Sequence, residues 1–301
     1  EILADSINAD VVIYGFFDLQ NGSITLQPEF FVDIENLYEL DELVGQYTLG
    51  SPITLIGHSE NLPTQLEGNR ELARRSQLIA LVTQGLSLYF YQDFEMSLLA
   101  FQNANDNQFW TTNEGREVIY QLMGNSAIRL LDYENAENFY ESALNIDDEY
   151  ARAYGGLGNV FFSRSVEHIT STTFNPDPNG LDQAISYFEM AENASNQAPN
   201  ADVPAKSAFG LGQVYLIQWY TGLDTLDDAI EQFNTVIDYH DEGNNRRIQE
   251  IAAESHGRLG LIARQQEDYD LAINEYLIAL DLSISPARRG VYLGSLADIY
   301  T

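Results

Sequence analysis

The sequence predicts a mainly α protein: five full helical hairpins stacked with one extra helix, preceded by a small α/β segment with a β-hairpin. Three observations predict it. A small residue recurs at one helical register, as Gly85, Gly124, Gly158, Gly212, Gly260 and Gly294. A second small residue follows in the next apolar stretch (Ser97, Ala136, Ala184, Ala229, Ala272). After it come an aromatic residue (Phe101, Tyr140, Phe188, Phe233, Tyr276) and then another compact one (Ala104, Ala143, Ala191, Val236, Ala279). Asp93-Phe94, Asp132-Tyr133 and Asp268-Tyr269 mark turns between the paired stretches.

The physical reason is steric. Two antiparallel helices cross closely only where small side chains meet, and an aromatic ring fills the gap beside the crossing. One such hairpin cannot bury its apolar face, whereas stacked copies share a continuous core. Glu117–Tyr150 is the cleanest copy, 34 residues long. Unrelated amphipathic helices would not hold glycine, alanine and an aromatic in one fixed register.

Taken in order, Ile2–Ala9 reads as the end of a helix. Asp10–Phe17 is dense in β-branched and aromatic residues, and Asn21-Gly22 is a hairpin turn signal. Ile24, Leu26, Phe30 and Val32 alternate through Ser23–Asp33, as in a strand with one apolar face. Pro28 lacks an N–H, so an edge or a bulge is expected there. The run from Asn8 to Gly15, then a turn, then Ile24 to Asp33 resembles the second half of a TolB amino-terminal-type α/β domain. That resemblance implies an incomplete sheet of the kind found ahead of helical repeats in bacterial sensory and regulatory proteins. A small cap on the first repeat is the alternative. Leu37, Leu40 and Leu43 suggest a short helix, which Gly50-Ser51-Pro52 breaks. The boundary is expected near residue 62, giving segments 1–62 and 63–301.

The repeats fall near 78–111, 117–150, 151–198, 205–243 and 253–286, with a half repeat at 287–301. Over residues 78–301 the pattern resembles the tetratricopeptide repeat (TPR) family, which implies a right-handed α-solenoid. Departures exist: the family's aromatic at the fourth position survives only as Tyr120 and Tyr154, and its closing proline is missing from most copies. Uneven glycine spacing marks insertions at 105–116, 165–178, 192–204 and 237–252. In the final helix Val291, Leu293 and Leu296 are expected to pack back on the fifth repeat. That helix has no polar cap, so a truncation or a partner at that end is expected.

Charge narrows the partners. The chain has 46 acidic residues against 14 basic ones, a net charge of −32, and Lys206 is its single lysine. Such a surface repels nucleic acid and anionic lipid, so neither is an expected partner. There is no cysteine, hence no disulfide, thiol nucleophile or cysteine metal site. No apolar run approaches the ~20 residues that span a bilayer. Without an initiator Met or a signal peptide, the chain reads as part of something longer. Low lysine, high acid and no cysteine lean toward an extracytoplasmic, extracellular or saline setting.

Candidate chemistry is sparse. His58, His168, His240 and His256 do not stand at metal-ligand spacing. Asp147-Asp148-Glu149 and Asp224–Asp228 read as solvated turns and helix caps. Asn175–Gly180 offers oxygen ligands for calcium but fails the EF-hand spacing. No phosphate loop, nucleophile elbow or dinucleotide fingerprint occurs. No catalytic residue, cofactor or metal is therefore expected, and no enzyme activity.

The TPR resemblance implies a concave groove lined by particular first-helix positions. Those positions here include Arg129, Arg152, Lys206, Arg264 and Arg288, five of the 14 basic residues. Asn125 and Asn159 occupy the position where an amide can hold an extended peptide backbone. Phe162, Phe209 and Leu216 would form the floor. The family's carboxylate-clamp lysine is replaced by Gln121, Gly155 and Phe209, so a chaperone-tail receptor is not expected. The expected function is a non-enzymatic scaffold binding an acidic or neutral protein or peptide segment. The alternatives are a subunit that self-assembles head to tail into filaments, and a sensory region of a larger signalling protein. The cations pairing with nearby acids instead is the competing local reading.

Overall fold

The computed structural model describes residues 11–20, 23–32, 40–56, 62–167, 169, 174–195, 202–243 and 248–300. The helix expected at Ile2–Ala9 and the turn residues Asn21-Gly22 fall outside them, as do His58 and His168. The chain divides into two compact units, Glu1–Glu35 with Glu42–Gly156 and Asn36–Asp41 with Leu157–Thr301. Among the described residues no helix is long and apolar enough to cross a membrane.

In the first unit, β1 (Val11–Gln20) and β2 (Ser23–Val32) form the expected hairpin. Their antiparallel register pairs Val11 with Val32 at one end and Gln20 with Ser23 at the other. The sheet is larger than the hairpin alone. β3 (Gly45–Thr48) and β4 (Ile53–Ile56) both pair with β2, on the side away from β1. Pro28 is thus on a central strand, neither at an edge nor in a bulge. It falls between Glu29, which pairs with Thr48, and Leu26, which pairs with Ile53. Its missing N–H meets the break between β3 and β4, which the Gln27 amide spans by donating to the Gly50 carbonyl at 2.9 Å. Of the short helix expected across Leu37, Leu40 and Leu43, Leu37 lies outside the described residues, and Asp41–Leu43 is a 3-10 turn leading into β3.

The helices follow as α1 (Leu62–Phe90), α2 (Phe94–Ala104), α3 (Arg116–Arg129), α4 (Tyr133–Leu144) and α5 (Ala151–Val166). Then come α6 (Pro178–Ser195), α7 (Asp202–Tyr220), α8 (Leu226–Gly243), α9 (Gln249–Gln265), α10 (Tyr269–Leu282) and α11 (Pro286–Tyr300). They pack as successive pairs, with α11 against α10. Val11, Ile13 and Phe30 of the sheet face Ile79, Val82 and Leu86 of α1.

The register read from the sequence is the core. All ten compact second-helix positions, from Ser97 to Ala279, are fully buried, and so are the five aromatic rings beside them. Each ring lies on the first-helix glycine of its own repeat. A Cβ on Gly124 would come within 2.7 Å of the Tyr140 ring, and one on Gly158 within 2.6 Å of Phe188. The ring also reaches the next first helix, since Gly156 meets Tyr140 and Gly210 meets Phe188. Asp93, Asp132 and Asp268 cap their helices by accepting from Met96, Asn135 and Leu271 amides.

Two expectations need correction. Helix takes up part of the insertions at 192–204 and 237–252, because α6 runs on to Ser195 and α8 to Gly243. Ala191, Ala194 and Ser195 are buried, which gives α6 a reason to continue. On α11 it is Tyr292 and Leu296 that pack with Ala263, Ala272, Tyr276 and Ala279. Val291 and Leu293 lie off that one-turn-spaced face and are 64% and 54% exposed.

Candidate functional site

In the first unit, Tyr89 on α1, Asn125 and Arg129 on α3 and Arg152 on α5 belong to the first helices of three successive repeats. The face carrying Tyr89, Arg129 and Arg152 holds a run of the chain's own backbone, Glu42–Tyr47. The Glu42 carboxylate takes a two-pronged grip from Arg129: Nε donates to Oε1 at 2.8 Å and Nη2 to Oε2 at 3.0 Å. The Tyr89 hydroxyl donates to Oε1 at 2.6 Å. Three donors on one carboxylate make this a strong, charge-assisted contact. Arg129 also lies over the Phe94 ring.

Two residues further along, Arg152 donates to the Val44 carbonyl at 3.2 Å and to the Tyr47 hydroxyl at 3.3 Å. Its guanidinium lies 4.7 Å from the centre of the Tyr47 ring. That ring stacks in turn on Phe30, its cross-strand partner. Gly45 makes the approach of Arg152 possible. Its φ of +133° is glycine territory, and a Cβ there would sit 2.2 Å from Arg152 Nη2. Leu43, Val44 and Tyr47 are buried, while the Arg129 and Glu42 side chains keep 34% and 28% of their exposure.

Electrostatics fix the charge states. Burial above all, and then the Glu42 carboxylate, push the Tyr89 hydroxyl well above its ordinary pKa. Burial pulls Arg129 down, but Glu42 and Tyr89 outweigh it and the net shift is upward. Arg129 is a permanent cation and Tyr89 a permanent donor at any physiological pH.

The remaining expected residues are placed as follows. Asn125 is buried; its Oδ1 accepts from the Tyr140 hydroxyl at 2.6 Å, and its Nδ2 has no partner among the described residues. In the second unit Asn159 is exposed and Phe162 half-buried beside the Phe161–Leu181 cluster. Lys206 pairs with buried Asp202 at 3.0 Å, one turn away on α7. Half-buried Phe209 packs beside Phe233. Arg264 meets Asp298 at 3.5 Å. Arg288 reaches Glu254 at 2.5 Å and buried Glu250 at 3.4 Å. Leu216, expected on the groove floor, is instead in the core with Phe233 and Ile262, because it faces the second helix of its repeat.

Asn125, Arg129 and Arg152 therefore come together within one unit. Glu42, Gly45, Tyr47 and Tyr89 complete the arrangement and were not singled out in the sequence. The one visible signal was Gly45 between apolar Val44 and Tyr47, short of a full strand pattern.

No protein-family model and no curated protein sequence matches the chain. Solved structures do. TTC0263 of Thermus thermophilus, a thermophilic TPR protein, is similar over 73% of this chain and 99% of its own, at 16% identity and a TM-score of 0.53. The fold is of the TPR type. The human IFIT1 dimer with m7Gppp-AAAA is similar over 79% of this chain, at 15% identity and a TM-score of 0.57. This chain covers 48% of IFIT1. At such identities the likeness is one of fold, and the TPR-type arrangement is what it carries over.

Proposed function

We propose that this TPR-type chain is a non-enzymatic interaction scaffold whose first-helix face holds an extended peptide or protein segment. The observation that carries the reading is the run Glu42–Tyr47, gripped by Arg129, Tyr89 and Arg152. Those groups recognise a carboxylate and a backbone carbonyl, features that any extended acidic segment offers. Nucleic acid is left out of the proposal because 46 acidic residues against 14 basic ones repel a phosphate backbone. In the second unit, taken by itself, Asn159, Phe162, Phe209 and Arg264 are the candidate lining. Selection of a random peptide-display library on the full chain tests the reading. Peptides should enrich, and Arg129→Ala should weaken those held by the first unit at least tenfold, as Phe162→Ala or Asn159→Ala should weaken those held by the second. No enrichment, or enrichment indifferent to all three substitutions, contradicts it.

A second reading, self-association, is favoured by α11. Val291, Leu293 and Tyr300 are exposed, and a Cβ on Gly290 or Gly294 would meet nothing within 4 Å. Sedimentation over a wide concentration range should then show association that Val291→Lys weakens. A monomer at every concentration removes this reading.

A further inference from the structure

The run Glu42–Tyr47 meets its helices through contacts that a separate chain could make equally well. We infer that it is a built-in occupant of the first-helix face, and that the partner replacing it is an extended segment of the same chemistry. That chemistry is a carboxylate, a glycine three residues on and a tyrosine two beyond. The inference rests on the scaffold reading above and specifies its ligand.

Each requirement follows from one contact. The planar fork of Arg129, aided by Tyr89, fits a carboxylate on both oxygens; an amide would supply one acceptor oxygen and no charge. Arg152 lies so close to Gly45 that a Cβ there would displace the guanidinium, and the φ of +133° itself disfavours any residue but glycine. It reads the Val44 carbonyl and the face and hydroxyl of Tyr47. Gln46 and Thr48 are exposed, and Gln46 donates to Glu29 of β2 at 2.6 Å, so the first-helix face leaves those positions unspecified.

Displacement is physically reasonable. β3 has four residues and pairs only with β2 among the described residues, so its backbone hold is short. The Glu42–Arg129 end is about one-third exposed and is where an incoming carboxylate would arrive. Against this, Leu43 and Val44 are fully buried. The occupied state therefore dominates, and a partner's apparent affinity falls by the fraction of molecules whose face is open. Substitutions that loosen the internal run should strengthen binding of the external one. A purely structural strand would show no such gain.

The test is fluorescence anisotropy of a labelled peptide carrying residues 40–49, titrated with the full chain, Gly45→Ala and Glu42→Gln. Circular dichroism confirms that each protein is folded, and Glu42→Gln keeps the side-chain shape should Gly45→Ala fail to fold. The loosened variants should bind the peptide at least tenfold more tightly than the unaltered chain. Replacing the peptide's own glutamate by lysine, or its tyrosine by alanine, should abolish the gain. Binding no better than a scrambled peptide on every folded protein overturns the inference. If display-selected peptides bind this face while the 40–49 peptide neither binds nor competes, the inference fails and the scaffold reading stands. If nothing binds, both fail.

Discussion

Gly124 and Gly294 hold the same register in their repeats and meet opposite surroundings. A Cβ on Gly124 would press into the Tyr140 ring, whereas one on Gly294 meets nothing within 4 Å. Gly124→Ala should therefore destabilise the protein by about 1–3 kcal/mol through overpacking. Gly294→Ala should stabilise α11 by about 0.5–1 kcal/mol through lost chain entropy. Urea unfolding of both variants checks the pair, and effects of equal sign would contradict the packing account. Glu117 supplies a pH prediction. Burial is the main cause of its raised pKa; its own amide and that of Gly115 oppose the shift, and Asp147 and Glu114 reinforce it. With the folded value above the unfolded one, stability falls as pH rises from about 4.5 through the raised folded pKa. Glu117→Gln should gain on the unaltered chain across that window, and the two should converge below it. Melting curves at several pH values read this directly, and a constant difference would mean that the carboxylate is not the cause.

At the scale of elements, three hairpin turns share one design. Gln92, Leu131 and Glu267 adopt positive φ, and each is followed by the aspartate that caps the next helix. The aspartates were legible in the sequence because a side-chain acceptor at a helix start is a residue-type signal. The left-handed positions were not legible, since glutamine, leucine and glutamate are not residues that favour them. Leu131 is also largely exposed and has little packing to lose. Leu131→Gly should thus stabilise by about 1 kcal/mol, seen as a higher urea midpoint. A lower midpoint would show that its side chain is needed. The same contrast separates the helices from the sheet. Periodicity over long helices was visible at once, while β3 and β4 are too short to show a pattern. Their identity comes from the edge of β2 that they occupy, and no local signal carries that.

Over the whole molecule, the excess of 32 negative charges is a self-repulsion that the few ion pairs do not cancel. The exposed pairs lose at most about 1 kcal/mol each when screened. Relief of the global repulsion should outweigh that loss, so the melting temperature should rise with sodium chloride; a flat or falling trend would contradict the charge account. The site was half legible for a related reason. Arg129 and Arg152 stood out as rare cations in an acidic chain, and their helical register placed them on one face. Their partners did not stand out, because Glu42 is 87 positions from Arg129 and is one acid among 46. Lys206 shows the local pairing weighed in the sequence, with Asp202 one turn away on its own helix. Arg264 and Arg288 reach acids on neighbouring first helices.

The most direct test of the account is a double-mutant cycle on Glu42 and Arg129, each replaced by Gln singly and together, with unfolding free energy as the readout. The face as described predicts a favourable coupling of about 1 kcal/mol or more, weakening in high salt. Additivity to within about 0.3–0.5 kcal/mol would mean that Glu42 is not held by this face, and would contradict the claim that an acidic extended segment is what the face is built to hold.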